Sequence, residues 1–386
     1  MINKKFIFVT ACIKNGKLWF VTDRTYMLCE MDLETYIVYC HTVLPEPLKP
    51  VQHLVGAIVV CGNRIIMAPH SGEEFLLYDT ETKLLERKPC EIKSACKFNH
   101  AIEDKNKIYF ISGWTPGFAE YDIKKETFTM HNEFADAGEN KIDEGNTWSR
   151  GDGYIEKGAL YIPLANKNYI LRVDLQEYHF SFLDMGNQGK GYNAIINCNK
   201  AYWAIPRNGG SIKKGNIDTH KWENLNFAEQ YIFSGSDRIA WNQENIFILD
   251  SNKLELYKLN MCSEQFNKCQ FRVNNKEMLP EYIGHRILWM GEWEDKLFFL
   301  KSDGSFLIWD ETNQKIEEGN FLLAEGDVSW YRCLGMHLKG KMVMEQSVPL
   351  QEMLQSLPQI NMDGNLKEPY GLVGKKIHET VKEECI

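Results

Sequence analysis

The chain has 386 residues, with 44 Lys and Arg against 53 Asp and Glu, a formal net charge of -9, and 44% hydrophobic and 25% charged residues. The charge has the wrong sign for neutralising nucleic-acid phosphates, and no run of about 18 apolar residues is available to cross a membrane as a helix. Eleven cysteines, odd in number and without a C-x-x-C pair, favour reduced, mostly buried thiols in a cytoplasm over a disulfide framework or a thiolate metal site.

The first segment, MINKKFIFVTACIKNGKLWF, contains V-T-A-C, which has the form of a bacterial lipoprotein cleavage site. Its apolar stretch from Phe6 to Ala11 is six residues, shorter than the roughly 7 to 15 of a signal peptide's apolar region. The stretch also precedes NGKLWFV, as HLVGAIVV precedes NRIIMA and YNAIINC precedes KAYWAI. Residues 6–13 are therefore expected to form the innermost strand of the first structural unit.

That unit recurs along the chain. NGKLWFV, GNRIIMA, KNKIYFI, KGALYIP, NKAYWAI, ENIFILD, EDKLFFL and KGKMVME align a turn with an apolar-rich strand, at Lys17, Arg64, Lys107, Ala159, Lys200, Ile246, Lys296 and Lys341. After each of the first seven comes an Asp or Asn at the end of the next strand: Asp32, Asp79, Asp122, Asp174, Asp218, Asn260 and Asp310. Between these markers apolar and polar residues alternate with β-branched and aromatic enrichment, the pattern of half-buried strands, and Gly, Asn, Asp, Ser and Pro clusters separate the runs. The recurring Asp is expected to cap a turn by accepting from nearby backbone N–H groups.

Four short antiparallel strands repeating at this spacing describe a blade that cannot bury both its faces alone, so the fold class expected is an all-β propeller. Repeats beginning near residues 5, 53, 99, 148, 192, 235, 285 and 331 favour eight blades over seven. The propeller is expected over 1–345. In 346–386, Ile377, Val381 and Cys385 recur every four residues, the stripe of a short amphipathic helix that completes or packs on the last blade.

The arrangement resembles the broad propeller group that includes kelch, WD-repeat and quinone-type proteins. SFLIWDETNQKIEEG is similar to a WD-repeat strand and turn around Trp309 and Asp310, LYDTETK and MDLETY resemble the turn of quinone-type blades, and NGKLWFV resembles streptogramin lyase blades. Kelch's double glycine occurs only as Gly209 and Gly210, and no catalytic His and Glu pair of the lyase kind can be placed. The resemblance implies a fold and no activity.

Antiparallel pairing puts the lead-in to each innermost strand and the loop after each second strand on one face, around the mouth of the central channel. The lead-in positions are His53, His100, Arg150, Asn193, Arg238, His285 with Arg286, and Arg332; the loops add Asp23 and Arg24, His70, Trp114, Asn166, Arg207, Asp250 and Asp303. Arg forks and imidazoles in that number suit an anionic ligand or a protein partner. The ligand-binding candidates are Arg150, Trp148, Asn193, Arg207, Arg238, Arg286, Arg332, Trp114 and His70. The same residues also suit a purely structural role, bridging neighbouring blades around a wet channel. NTWSRGDGY, with Trp148, Arg150 and Asp152 around two glycines, is the most distinctive lead-in segment.

No G-x-S-x-G elbow surrounds any serine and no H-x-x-x-H spacing exists, so neither a serine hydrolase, a metal site nor a cofactor is expected. The leading functional expectation is a non-catalytic cytoplasmic propeller that binds an anionic ligand or protein partner in its funnel, with no nucleic acid and no membrane involved. The alternative is a lyase or hydrolase acting on an anionic sugar, peptide or small metabolite, with His53, His100 or His285 as general base.

Overall fold

The computed structural model describes residues 2–4, 6–23, 25–45, 51, 53–92, 97–133, 148–149, 151–186, 191–198, 201–207, 210–216, 219, 221–225, 238–250, 253–271 and 287–323. Blade one comprises β2 (Ala11–Lys14), β3 (Lys17–Val21), β4 (Met27–Asp32) and β5 (Ile37–Val43). Blade two has β6 (Val55–Cys61), β7 (Arg64–Pro69), β8 (Glu74–Asp79) and β9 (Leu85–Pro89). Blade three has β10 (Phe98–Asp104), β11 (Lys107–Ser112), β12 (Phe118–Asp122) and β13 (Thr127–His131). Blade four has β14 (Tyr154–Glu156), β15 (Ala159–Pro163), β16 (Tyr169–Asp174) and β17 (Phe180–Asp184), and blade five β18 (Tyr192–Cys198), β19 (Ala201–Pro206), β20 (Ile212–Asn216) and β21 (Lys221–Leu225). Blade six has β22 (Arg238–Trp241), β23 (Asn245–Asp250), β24 (Glu255–Asn260) and β25 (Phe266–Lys268), and blade seven β26 (Ile287–Trp293), β27 (Lys296–Lys301), β28 (Phe306–Asp310) and β29 (Lys315–Gly319). In every blade the strands pair antiparallel in chain order, and from blade six round through blades seven and one to blade five the first strands of successive blades lie against one another and so line the channel.

The ring closes at seven blades, not the eight favoured by the repeat count. After blade seven, β30 (Phe321–Leu323) pairs in parallel with β5, and β1 (Ile2–Lys4) pairs antiparallel with β30, extending blade one to six strands. Apolar cores fill the interfaces between successive blades, and the one between blades seven and one is already occupied by Phe6, Phe8, Phe20, Phe298, Phe306 and Phe321. An eighth blade would have to be inserted into that closed cluster. The proposed eighth repeat, the boundary at 345 and the C-terminal helical stripe all lie outside the described residues.

Phe6 and Phe8, 1% and 0% exposed, belong to this closing core, so the apolar start of V-T-A-C is packing surface. The innermost strand of blade one is shorter than the expected 6–13 and runs from Ala11 to Lys14.

The recurring acids have the expected local role. Asp32, Asp79, Asp122 and Asp174 each accept, through Oδ1, from the backbone N–H groups two and three residues later, and Asn260 does the same in blade six. The fourth residue on has positive φ in each: Tyr36, Lys83, Glu126, Tyr178 and Glu264. In blade five Asn216 accepts from Thr219 through Oδ1, and Asp218, the expected marker, lies outside the described residues. Five of the seven second strands start on the marker read from the repeat, and β19 and β23 start one residue from it.

Candidate functional site

The mouth of the channel is built by a belt of backbone hydrogen bonds. Lys97 N–H donates to His70 O, Gly113 to Lys97, Trp148 to Gly113 and Ala165 to Trp148, all between 2.7 and 2.9 Å. Each link ties the loop after a second strand to a lead-in segment, so both sets lie on one face as the topology requires.

Two imidazoles on this face are each held by a carboxylate from a neighbouring blade. His53 Nδ1 is 2.9 Å from Asp23 Oδ2, with side-chain exposures of 22% and 6%, so the carboxylate is buried and the ring half-buried. His100 Nδ1 is 2.9 Å from Asp152 Oδ1. His70 lies beside His53, ring centroids 5.5 Å apart and planes at 87°, and its Nδ1 is 2.9 Å from the hydroxyl of Ser71. The ring of His53 has no other protein hydrogen-bond partner among the described residues, and its side chain is partly exposed.

The loop that presents Asp23 is constrained. Tyr26 has φ of 52°, a left-handed conformation disfavoured for a bulky side chain and costing about 1–3 kcal/mol. Thr22 and Thr25 hydroxyls meet at 2.5 Å beneath it, and Thr22 Oγ1 accepts from Met27 N–H. The Tyr26 hydroxyl donates to Val51 O at 2.6 Å and accepts from Val51 N–H at 3.0 Å. Tyr26 thereby anchors the chain two residues before His53, which fixes the imidazole over Asp23.

NTWSRGDGY is shaped by close backbone approach. A Cβ on Gly151 would lie 1.4 Å from Asn193 O, and one on Gly153 would lie 2.6 Å from Tyr161 O. Between them Asp152 bridges to Ala194 through the backbone and turns its carboxylate to His100. Trp148, expected to face a ligand, is instead 2% exposed and packed between blades three and four with Tyr109, Leu160 and Leu171. Its apolar ring is worth more in the interface than in a wet channel. Asn193 is likewise buried, at 7%.

Two of the candidate arginines bridge blades or loops. Arg207 donates to Asn166 Oδ1 at 3.0 Å, and Arg238 Nε donates to Leu288 O of blade seven at 3.0 Å. Trp114 is exposed on the loop after β11. Asp250 is fully buried and caps its own turn through Lys253 N–H, and Asp303 accepts from Ser305. Arg24, Arg150, His285, Arg286 and Arg332 lie outside the described residues. Among the described residues no three His, Cys, Asp or Glu side chains converge as a metal set.

Sequence reasoning named His53, His100, Asp23 and Asp152 separately and did not pair them, nor did it single out Tyr26. The available signal was the ring itself: a lead-in residue meets the neighbouring blade, about 30 to 50 residues away in the chain.

No family model matches the chain, and no curated protein matches it. Solved propellers do. Virginiamycin B lyase from Staphylococcus aureus superposes with a TM-score of 0.59 at 11% identity, over 79% of this chain and 96% of that one. A chain of the mitotic checkpoint complex gives 0.58 at 12%, over 80% and 90%, and BamB from Moraxella catarrhalis 0.51 at 10%, over 83% and 91%. One fold thus joins this chain to a lyase, to a member of a protein assembly and to BamB, and at such identities the likeness concerns the fold alone.

Proposed function

We propose that the mouth face binds a ligand or protein partner bearing anionic groups, through the imidazoles of His53, His70 and His100. The observation that carries this reading is the pair of interblade His and Asp contacts, with Asp23 buried beneath His53. A carboxylate on Nδ1 fixes the orientation of the ring, and an imidazole nitrogen that carries a proton is a donor suited to an anionic group. The strained, multiply anchored loop around Tyr26 supports it, because strain held in place by surrounding bonds is a feature of preorganised sites. A cytoplasmic setting accords with the scattered thiols, and fractionation of the native cell tests it.

The binding test is a thermal-shift screen of the full chain against anionic sugars, sugar phosphates and acidic peptides, with His53→Ala and His100→Ala alongside. A compound that raises the Tm of the wild type and of neither variant supports the site. Equal shifts in all three proteins, or none in any, overturn it for small molecules, and pull-down with the two variants as controls then decides for a protein partner.

A second reading rests on the Asp23 and His53 pair alone. A neutral imidazole whose Nδ1–H is held by a buried carboxylate presents Nε2 as a general base, which suits a lyase or hydrolase acting on an anionic sugar, peptide or small metabolite. Turnover of any compound that binds, lowered about 10²-fold or more in kcat by Asp23→Asn with little change in KM, supports catalysis. Binding without turnover leaves the protein a receptor.

A further inference from the structure

We propose that Cys29 and Cys40 are a thiol pair which disulfide exchange converts into a cross-strand bond locking the blade that closes the ring. The two residues face each other in the register of β4 and β5, with their sulfurs 3.7 Å apart. Directly opposed residues of an antiparallel pair have Cα atoms about 4.5–5.5 Å apart, inside the roughly 4.4–6.8 Å that a disulfide spans. The sulfurs, 3.7 Å apart beside a register shift between Leu28 and Cys29, stand within reach of the bonded distance of about 2.05 Å.

The two thiols differ in access. Cys29 is fully buried in the closing core, and Cys40 is half-buried at its edge. Cys40 is thus the sulfur that meets an external reagent, and Cys29 the one that resolves it. The Cys40 thiolate attacks a low-molecular-weight disulfide, forming a mixed disulfide and releasing one small thiol. Cys29, its proton lost to water, then attacks the Cys40 sulfur and displaces the second small thiol. Two protein thiols are oxidised and one small disulfide is reduced to two thiols.

The position gives the bond a consequence. β5 is the strand on which β30 docks, through Leu322 opposite Ile37 and Leu323 opposite Val38, and Cys40 lies two residues beyond that pairing. A bond from Cys40 to β4 ties the closing edge covalently to the rest of blade one, in the blade where the two ends of the ring meet.

The test incubates the full chain with oxidised glutathione, blocks remaining thiols with N-ethylmaleimide and maps peptides by mass spectrometry. The expected result is a species lighter by two hydrogens, with Cys29 and Cys40 in one linked peptide, a higher Tm than the reduced protein, and reversal of both by dithiothreitol. Cys29→Ala should trap a lasting glutathione adduct on Cys40, and Cys40→Ala should leave Cys29 unmodified. A stable adduct on wild-type Cys40 without the linked peptide, or both thiols alkylated as in the untreated protein, overturns the proposal. The wild-type map decides without either variant, should a variant fail to fold.

Discussion

Replacing Phe321 with alanine tests the closure of the ring at seven blades. The side chain is 0% exposed, and its ring centroid lies 5.1 Å from Phe306, 5.2 Å from Phe6, 5.9 Å from Phe20 and 6.2 Å from Phe8. Those neighbours come from blade seven, from the chain ahead of β2 and from blade one, so the ring of Phe321 is packed on by both ends of the propeller. Truncating a buried Phe costs about 3–5 kcal/mol, because the apolar area is lost and a rigid aromatic surround cannot collapse into the hole. Unfolding the 255 described residues carries an entropy of ~0.5 kcal/mol/K, so the Tm should fall by about 6–9 °C. Phe180→Ala is the control: Phe180 is 38% exposed on β17, and its loss should cost within about 0.5 kcal/mol and under about 1 °C. Scanning calorimetry of the three proteins makes the comparison. If Phe321→Ala melts with the wild type, the interface between blades seven and one is not the seam that holds the ring, and the residues after 330 must supply the closing blade.

Three other outcomes follow from the same contacts. Asp79→Ala should lower the Tm more than Asp79→Asn does, because an amide Oδ1 still accepts from the N–H groups of Glu81 and Thr82, as that of Asn260 does from the equivalent groups in blade six. Those backbone donors hold Asp32, Asp79, Asp122 and Asp174 below the usual carboxylate range; their contribution is present above the unfolded value of about 3.9 and lost as pH falls through the lower folded values, so the Asp79→Asn variant should lose less Tm on acidification than the wild type. Burial pushes the imidazole of His131 down, and the neutral ring lies between Phe118 at 4.7 Å and Tyr178 at 4.1 Å; its stabilisation is present above about pH 6.5 and lost as pH falls through that value toward the folded one, a loss that His131→Phe should abolish in melts between pH 7.5 and 5. Gly151→Ala, which would bring a Cβ to 1.4 Å from Asn193 O, should displace Asp152 from His100 and abolish any binding that depends on His100; unchanged His100 titration by NMR would contradict it.

Blade architecture was legible because its causes are local. Alternation, turn chemistry and the recurring acid each act within a few residues, so second strands were located to within one residue and the capping role of Asp32 or Asp174 followed from residue type. In blade five an acceptor that the repeat did not single out, Asn216, takes the N–H of Thr219. Closure was not legible, because it depends on two strands of three residues, Ile2–Lys4 and Phe321–Leu323, too short to carry a pattern and joined by a partner more than 300 residues away.

The candidate site has the same character at a smaller scale. Lead-in positions could be named from strand order, but their meaning depends on which group the adjacent blade sets against each one. Arg238 meets a carbonyl of Leu288 and becomes a strut; His53 meets a buried carboxylate and stays partly exposed. Both are basic residue types at equivalent places, and nothing within either segment distinguishes them. The difference lies in the loop after β3, where Thr22, Thr25 and the left-handed Tyr26 hold Asp23 under the neighbouring lead-in. A ring in which structural struts and a positioned imidazole share one set of positions can acquire or lose a site by changing a single loop, while the interblade cores that hold the fold stay as they are.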